Sequence, residues 1–233
     1  MIEVIAFDAD DTLWENEFLY HEATQKLTEF LPTIQYPKLI EQRLGEIEIQ
    51  NVRIFGYGIK TFALSMIETA LLLSGGEIEV QAIQHILEIA KEMLTAEVKL
   101  FDHTEETLKV LSRKFDLMLI TKGDQFEQKR KIDISGLSEY FRYIEIVIEK
   151  SREIYLGLLD KYKIDPIRFL MVGNSLRSDI LPVVGIGAKA VYIPYDLTWS
   201  QEFVTIDTDD EHKFDELEHI GQLPGYIESL GKV

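Results

Sequence analysis

Apolar residues along the chain fall into two patterns. One is a set of short, nearly unbroken runs: Val4-Ile5-Ala6-Phe7, Leu117-Met118-Leu119-Ile120, Ile144-Glu145-Ile146-Val147-Ile148, Phe169-Leu170-Met171-Val172 and Ala190-Val191-Tyr192-Ile193. Each run leads into a polar turn and a helical pattern, which predicts an α/β domain with a doubly wound, mostly parallel sheet. The second pattern fills residues 15–100. There Leu19, Ala23, Leu27 and Phe30, then Ile40, Leu44 and Ile47, then Val80, Ile83, Leu87, Ala90 and Leu94 recur at helical spacing. Phe62 to Leu73 is apolar nearly all round and stops at Gly75-Gly76, which predicts a helix central to the others in a small all-α bundle. The α/β pattern then resumes, with Thr104 placed to cap a helix running to about Lys114. The predicted organisation is a core of residues 1–14 and 101–233, interrupted by a helical domain of residues 15–100.

Composition narrows the function. With 46% hydrophobic residues in 233, the chain has material for a real core. Its 24 basic against 41 acidic residues leave a formal charge of -17, which argues against a nucleic-acid partner and at long range repels phosphorylated metabolites as well. Asp207 to Glu218 holds seven of the acids beside Lys213 alone and reads as a solvated acidic loop. The absence of cysteine removes disulfides, thiolate nucleophiles and Cys-ligated metals. His21, His85, His103, His212 and His219 show no metal-ligand spacing. No apolar stretch reaches the roughly 18 residues of a membrane span and no basic segment opens the chain, so a cytoplasmic protein is expected.

The candidate chemistry stands at strand ends, where an open parallel sheet meets its ligands. Asp8, Asp10, Asp11 and Thr12 follow the first run. Alternation sends Asp8 and Asp10 to one side, and two carboxylates about 4 Å apart repel by roughly 4 kcal/mol at an effective dielectric near 20, so the pair calls for a cation, a shared proton or both. The second run ends in Thr121-Lys122-Gly123, a hydroxyl and exposed N–H groups suited to phosphate oxygens. The third ends at Lys150, a cation able to neutralise an anionic transition state, with Ser151 fit to cap the next helix. The fourth leads into Gly173-Asn174, with Asp179 a few residues on, hard oxygen donors of the kind magnesium takes.

These four motifs, in this order, resemble the haloacid dehalogenase superfamily of aspartate-nucleophile hydrolases over essentially the whole chain. Asp8-Ala9-Asp10-Asp11-Thr12 is similar to its D-x-D-x-T motif, and the helical insertion looks like the cap those enzymes carry after it. The resemblance implies that Asp8 attacks phosphorus and that Asp10 serves as acid and then base. It further implies that Thr121, with N–H groups near Lys122 and Gly123, holds phosphoryl oxygens while Lys150 offsets charge. Magnesium would be held by Asp8, the Asp10 carbonyl and Asp179, with Asn174 at the same site. Three positions depart from the pattern: Asp11 replaces a Gly, Ser151 a Pro, and Asn174 an Asp, which leaves Asp179 more of the metal. Lys129 and Lys131 compete for the role of Lys150, but no apolar strand precedes them.

The expected function is a magnesium-dependent phosphatase for a small phosphorylated metabolite, acting as a monomer or homodimer without nucleic acid or membrane. A dehalogenase of the same superfamily would not keep the second Asp, since halide leaves without a proton. A receiver domain would be far shorter, and a non-catalytic binding protein would not keep all the motif residues. In the insertion, Gly56-Tyr57-Gly58 between Arg53 and Lys60 reads either as a loop facing the site or, more plainly, as an interhelical turn. Hinges for cap motion are expected near residues 14–17 and 98–103.

Overall fold

The computed structural model describes residues 2–31, 37–197, 199, 202, 204 and 213–230. They divide into two compact units, one from Met1–Glu17, Val98–Lys122 and Gln128–Val233, the other from Phe18–Glu97 and Gly123–Glu127.

The first unit is built on a sheet of six strands, β1 (Val4–Phe7), β2 (Asp116–Lys122), β3 (Tyr143–Val147), β4 (Phe169–Gly173), β5 (Lys189–Tyr192) and β6 (Asp215–Glu216), in the order β3-β2-β1-β4-β5-β6. Every pairing is parallel, so the sheet is parallel throughout rather than mostly so. The runs of the central strands β1, β2 and β4 have no polar side because each face carries helices. Ile5, Phe7, Leu117, Leu119, Leu170, Val172 and Val191 pack toward α5 (Thr104–Leu111), α6 (Gln125–Ser135) and α9 (Leu223–Leu230). The alternate residues Val4, Ala6, Met118, Ile120, Phe169, Met171 and Ala190 pack toward α7 (Arg152–Tyr162) and α8 (Leu181–Val184).

The second unit holds α1 (Glu17–Phe30) almost entire, α2 (Pro37–Phe55), α3 (Ile59–Leu73) and α4 (Val80–Thr95) around Leu27, Ile40, Met66 and Ile86. Helix α3 packs on both α2 and α4, although Leu64 and Leu72 remain exposed, so it is not buried all round. A buried polar link joins α2 to α3, with Asn51 Nδ2 donating to Ser65 Oγ at 3.1 Å. The glycine turn between them has Gly56 and Gly58 at φ 80° and 125°. It faces the short segment after β2: Ile59 N–H donates to Glu127 Oε2 at 2.9 Å and Lys60 pairs with Asp124 at 2.8 Å. Lys60 is therefore already engaged by a carboxylate.

Three expectations need correction. The buried stripe of α4 is Ala82, Ile86, Ile89, Ala90 and Met93, while Val80 and Leu87 are exposed; the helix is apolar over two adjacent faces, and only one of them packs inward. Thr104 does not cap α5: His103 holds the cap position at φ 68°, and Thr104 Oγ1 instead donates to Leu13 O at 3.2 Å. The acidic stretch is in part structured, since Asp215 and Glu216 form β6 and Asp215 accepts from Tyr226 Oη at 2.7 Å, while residues 207–212 lie outside the described residues.

The chain leaves β1 and returns beside itself, with Glu15 N bonded to Lys99 O at 3.0 Å and Phe101 N to Leu13 O at 3.0 Å. Asp11 governs the departure. It sits at φ 61°, a left-handed conformation costly to most residues, and its buried carboxylate accepts from the N–H groups of Asn16 and Glu17 at 2.9 and 3.0 Å where α1 begins. Asp11→Ala loses both bonds and keeps the strain, so it is expected to destabilise the fold by about 1–2 kcal/mol. Asp11→Gly relieves the strain and should lose less; urea unfolding of the two variants measures the difference.

Candidate active site

Strand β1 lies between β2 and β4, and the chain leaving β2 crosses the face opposite to the one used by the chain leaving β4. Such a reversal opens a crevice at the carboxyl ends of the strands. Asp8 continues β1 into it, its N–H bonded to Val172 O at 2.9 Å. Lys150, three residues beyond β3 rather than at its last position, reaches across to Asp8 and Asp179, and all three are buried. Its Nζ donates to Asp8 Oδ1 and, at 2.6 Å, to Asp179 Oδ1. Ser151 caps α7 by accepting from Ile154 N. Asp179 Oδ2 accepts from Ser175 N at 3.1 Å, so both oxygens of Asp179 are occupied by donors. Gly173 makes this possible, because a Cβ there would collide with the Asp179 carboxylate.

Two carboxylates around one ammonium leave a buried net negative charge. Burial is the largest influence on Asp8 and pushes it up to about 7, with the Lys150 ammonium opposing and the charges of Asp179 and Asp10 adding. Burial also raises Asp179 against the pull of Lys150. For Lys150, burial works against the charged form, but Asp179 and Asp8 together hold its pKa well above the ordinary value.

The other oxygen of Asp8 belongs to a second cluster. Thr12 Oγ1 lies 3.2 Å from Asp8 Oδ2 and accepts from Asn174 N at 3.0 Å. The inward terminal atom of the Asn174 amide is 3.3 Å from Asp8 Oδ2, from the Asp10 carbonyl oxygen and from Thr12 Oγ1. Among the described residues no three acidic or histidine side chains gather as a metal site. What converges is one carboxylate oxygen, one carbonyl and one amide. The two oxygens of Asp179 face Lys150 Nζ and Ser175 N, while the Asn174 amide faces Asp8 Oδ2 and the Asp10 carbonyl.

The side chain of Asp10 is held separately. Its carboxylate accepts from Trp14 Nε1 at 2.6 Å, from Gln128 Nε2 at 3.0 Å and from Lys131 Nζ at 2.6 Å to each oxygen. Gln128 Nε2 also reaches Thr121 Oγ1 at 2.5 Å and Lys122 O at 3.0 Å. The Lys122 ammonium turns to Ser178 Oγ at 3.2 Å and Glu202 Oε1 at 2.7 Å, and Gly123 takes φ 151°, a conformation that side chains rarely adopt.

Comparison with known proteins agrees with this arrangement. The haloacid dehalogenase-like hydrolase family matches residues 2–186. The chain belongs to that family. It is 24% identical over 206 residues, 82% of this chain and 83% of the relative, to the 5-amino-6-(5-phospho-D-ribitylamino)uracil phosphatase YigB of Escherichia coli (strain K12). It is similar to a haloacid dehalogenase-like family hydrolase from Xanthomonas campestris, with 34% identity, a TM-score of 0.85 and coverage of 98% of this chain and 96% of the other. A 2-haloacid dehalogenase from Pseudomonas syringae pv. Tomato DC3000 shares the fold at 23% identity and a TM-score of 0.65, covering 99% of this chain and 100% of the other.

Three polar residues of this hydrolase escape a reading of strand ends: Trp14, Gln128 and Lys131. The signal for the last two is their i, i+3 spacing on α6, which puts them on one side of the helix. Lys131 is not a rival of Lys150, since it serves the other aspartate of the first motif. Lys129 points elsewhere, to Asp133. Among the histidines, His21, His103 and His219 are exposed, His85 stacks on Phe30 at 4.5 Å, and His212 lies outside the described residues.

Two outcomes follow from the buried cluster. Gly173→Ala should displace Asp179 from Lys150 and lower stability by about 1–3 kcal/mol, read by denaturant unfolding. Because the folded pKa of Asp8 is raised from 3.8 to about 7, the folded chain holds a proton that the unfolded chain has lost, and the contribution of Asp8 to stability falls as pH rises through that window. In the presence of a chelator the melting temperature should drop between about pH 4 and about pH 7, and Asp8→Asn should reduce the slope without abolishing it, because burial also pushes Asp11 up to about 7.

Proposed function

We propose that this hydrolase is a magnesium-dependent phosphatase that cleaves a small phosphate monoester through a phosphoaspartate on Asp8. The observation that carries the reading is the separate support given to the two aspartates: Asp8 is paired with the buried Lys150, while Asp10 is held by Trp14, Gln128 and Lys131. A leaving alkoxide needs a proton and a halide does not, so a fixed second carboxyl group fits phosphorus chemistry. The phosphatase among its relatives supports the same choice.

In the first step an Asp8 oxygen bonds to phosphorus, the bond to the leaving oxygen breaks, and Asp10 supplies that oxygen with a proton. In the second step Asp10 takes a proton from water, whose oxygen bonds to phosphorus as the bond to Asp8 breaks. Two moderate barriers thereby replace one large one. Thr121 Oγ1 and the N–H groups of the loop from Lys122 to Gly123 hold phosphoryl oxygens, and Lys150 offsets the charge that gathers on them. The oxygens of Asp8, the Asp10 carbonyl and Asn174 suit a hard dication; when bound, magnesium supplies positive charge to the phosphoryl group. The helical unit, inserted after the first motif, acts as the cap that chooses the leaving group.

The test is hydrolysis of p-nitrophenyl phosphate and a panel of phosphorylated metabolites with magnesium, beside halide release from 2-chloropropionate. Phosphate release is expected and halide release is not. Asp8→Asn should lower kcat by at least about three orders of magnitude, and a variant as fast as the parent would remove Asp8 as nucleophile.

A further inference from the structure

Asn174 can face its neighbours in two ways, and the two have opposite electrostatic sense. Its side chain is buried at the end of β4, and its inward terminal atom stands 3.3 Å from Asp8 Oδ2, the Asp10 carbonyl oxygen and Thr12 Oγ1. With the amide oxygen inward, it accepts from Thr12 Oγ1 at 3.3 Å but also faces a carboxylate and a carbonyl oxygen, which repel it unless a cation lies among them. With the nitrogen inward, the same positions become N–H···O contacts to all three partners, and the outward oxygen meets donors in place of the clash between donors. The two states have nearly the same shape and differ by a half-turn of the terminal amide. Only an Asn or Gln side chain can exchange donor for acceptor in this manner.

We propose that Asn174 is a metal-linked amide switch, resting on the metal-assisted reading above. Without a dication its nitrogen faces inward and bonds Asp8 Oδ2 and the Asp10 carbonyl. With a dication its oxygen faces inward as a ligand. The nitrogen-inward bonds compete with the metal, so binding is weakened by the fraction of molecules that must rotate the amide first. They also tie the end of β4 to the loop after β1 through groups that would otherwise face a buried net negative charge. An aspartate at this position cannot donate, so it would lose the metal-free bonds, add a further buried charge and bind a dication more strongly. The substitution thus has opposite signs in the two states, which a residue acting only in packing does not produce.

Thermal melting in EDTA and across a magnesium titration tests this, with calorimetric titration of magnesium as an independent measure. Asn174→Asp should melt lower than the parent in EDTA, yet show a larger rise with magnesium and a midpoint at about tenfold lower concentration, because ligand charge sets affinity in such sites. Asn174→Ala, which can neither donate nor accept, should also melt lower in EDTA but require more magnesium than the parent. If both variants lose the same number of degrees with and without magnesium and keep the parental midpoint, Asn174 is a packing residue and the switch is wrong. If the parent itself shows neither a rise nor heat with magnesium, the metal site and the switch fail together, while the Asp8→Asn assay still judges the phosphatase reading.

Discussion

The fixed point of the structure is the Lys150 ammonium, buried with the carboxylates of Asp8 and Asp179. Removing one partner from such a cluster strands a charge away from water, at a cost of about 3–5 kcal/mol. The cluster also joins elements that sequence alone keeps far apart: the end of β1, the loop after β3 and the turn after β4. Its geometry depends on Gly173, which leaves room for the Asp179 carboxylate, and on the N–H of Ser175, which fixes that carboxylate. The imbalance of two negative charges to one positive is what makes the site receptive to a further proton or cation.

Asp10 depends on different neighbours. Gln128 is the connection, because one amide group reaches the Asp10 carboxylate, the Thr121 hydroxyl and the Lys122 carbonyl. Asp10 and Thr121, to which the proposed mechanism gives proton transfer and phosphoryl binding, therefore share a support on α6. Displacing α6 would move both, whereas the Asp8 cluster is braced by Lys150 and the β4 turn. The formal charge of -17 on the whole chain is offset only in part at this site, where Lys150 and Lys131 stand against Asp8, Asp179 and Asp10.

Much of the core was legible because strands buried on both faces leave apolar runs, as β1, β2, β4 and β5 do, and β3 at one sheet edge also reads as a run although it stays partly exposed. The exception, β6, is two exposed acidic residues at the sheet edge, and neither burial nor propensity marks it. Helix α4 was legible as a helix but not as to its inward face, since Val80 and Leu87 are apolar and exposed. At the site, residues at strand ends could be read from position, whereas Gln128 and Lys131 lie on α6, whose sequence QFEQKRKIDIS is polar on most sides, so their i, i+3 spacing is one of several such polar pairs and does not reveal that they meet Asp10. The change from Asp to Asn at position 174 was visible; the two orientations open to its amide were not, because they arise from oxygens supplied by β1 and the loop after it.

The register of β1 has a consequence for how the chain assembles. Its partners are β2, from Asp116, and β4, from Phe169, so Val4 through Phe7 cannot complete their ladders until most of the chain exists. The helices of the second unit close contacts over short sequence distances, and such contacts form fast, while pairing across long loops is slow. During synthesis the strand that leads to Asp8 thus precedes both of its partners, and for that interval its four apolar residues have no sheet to join.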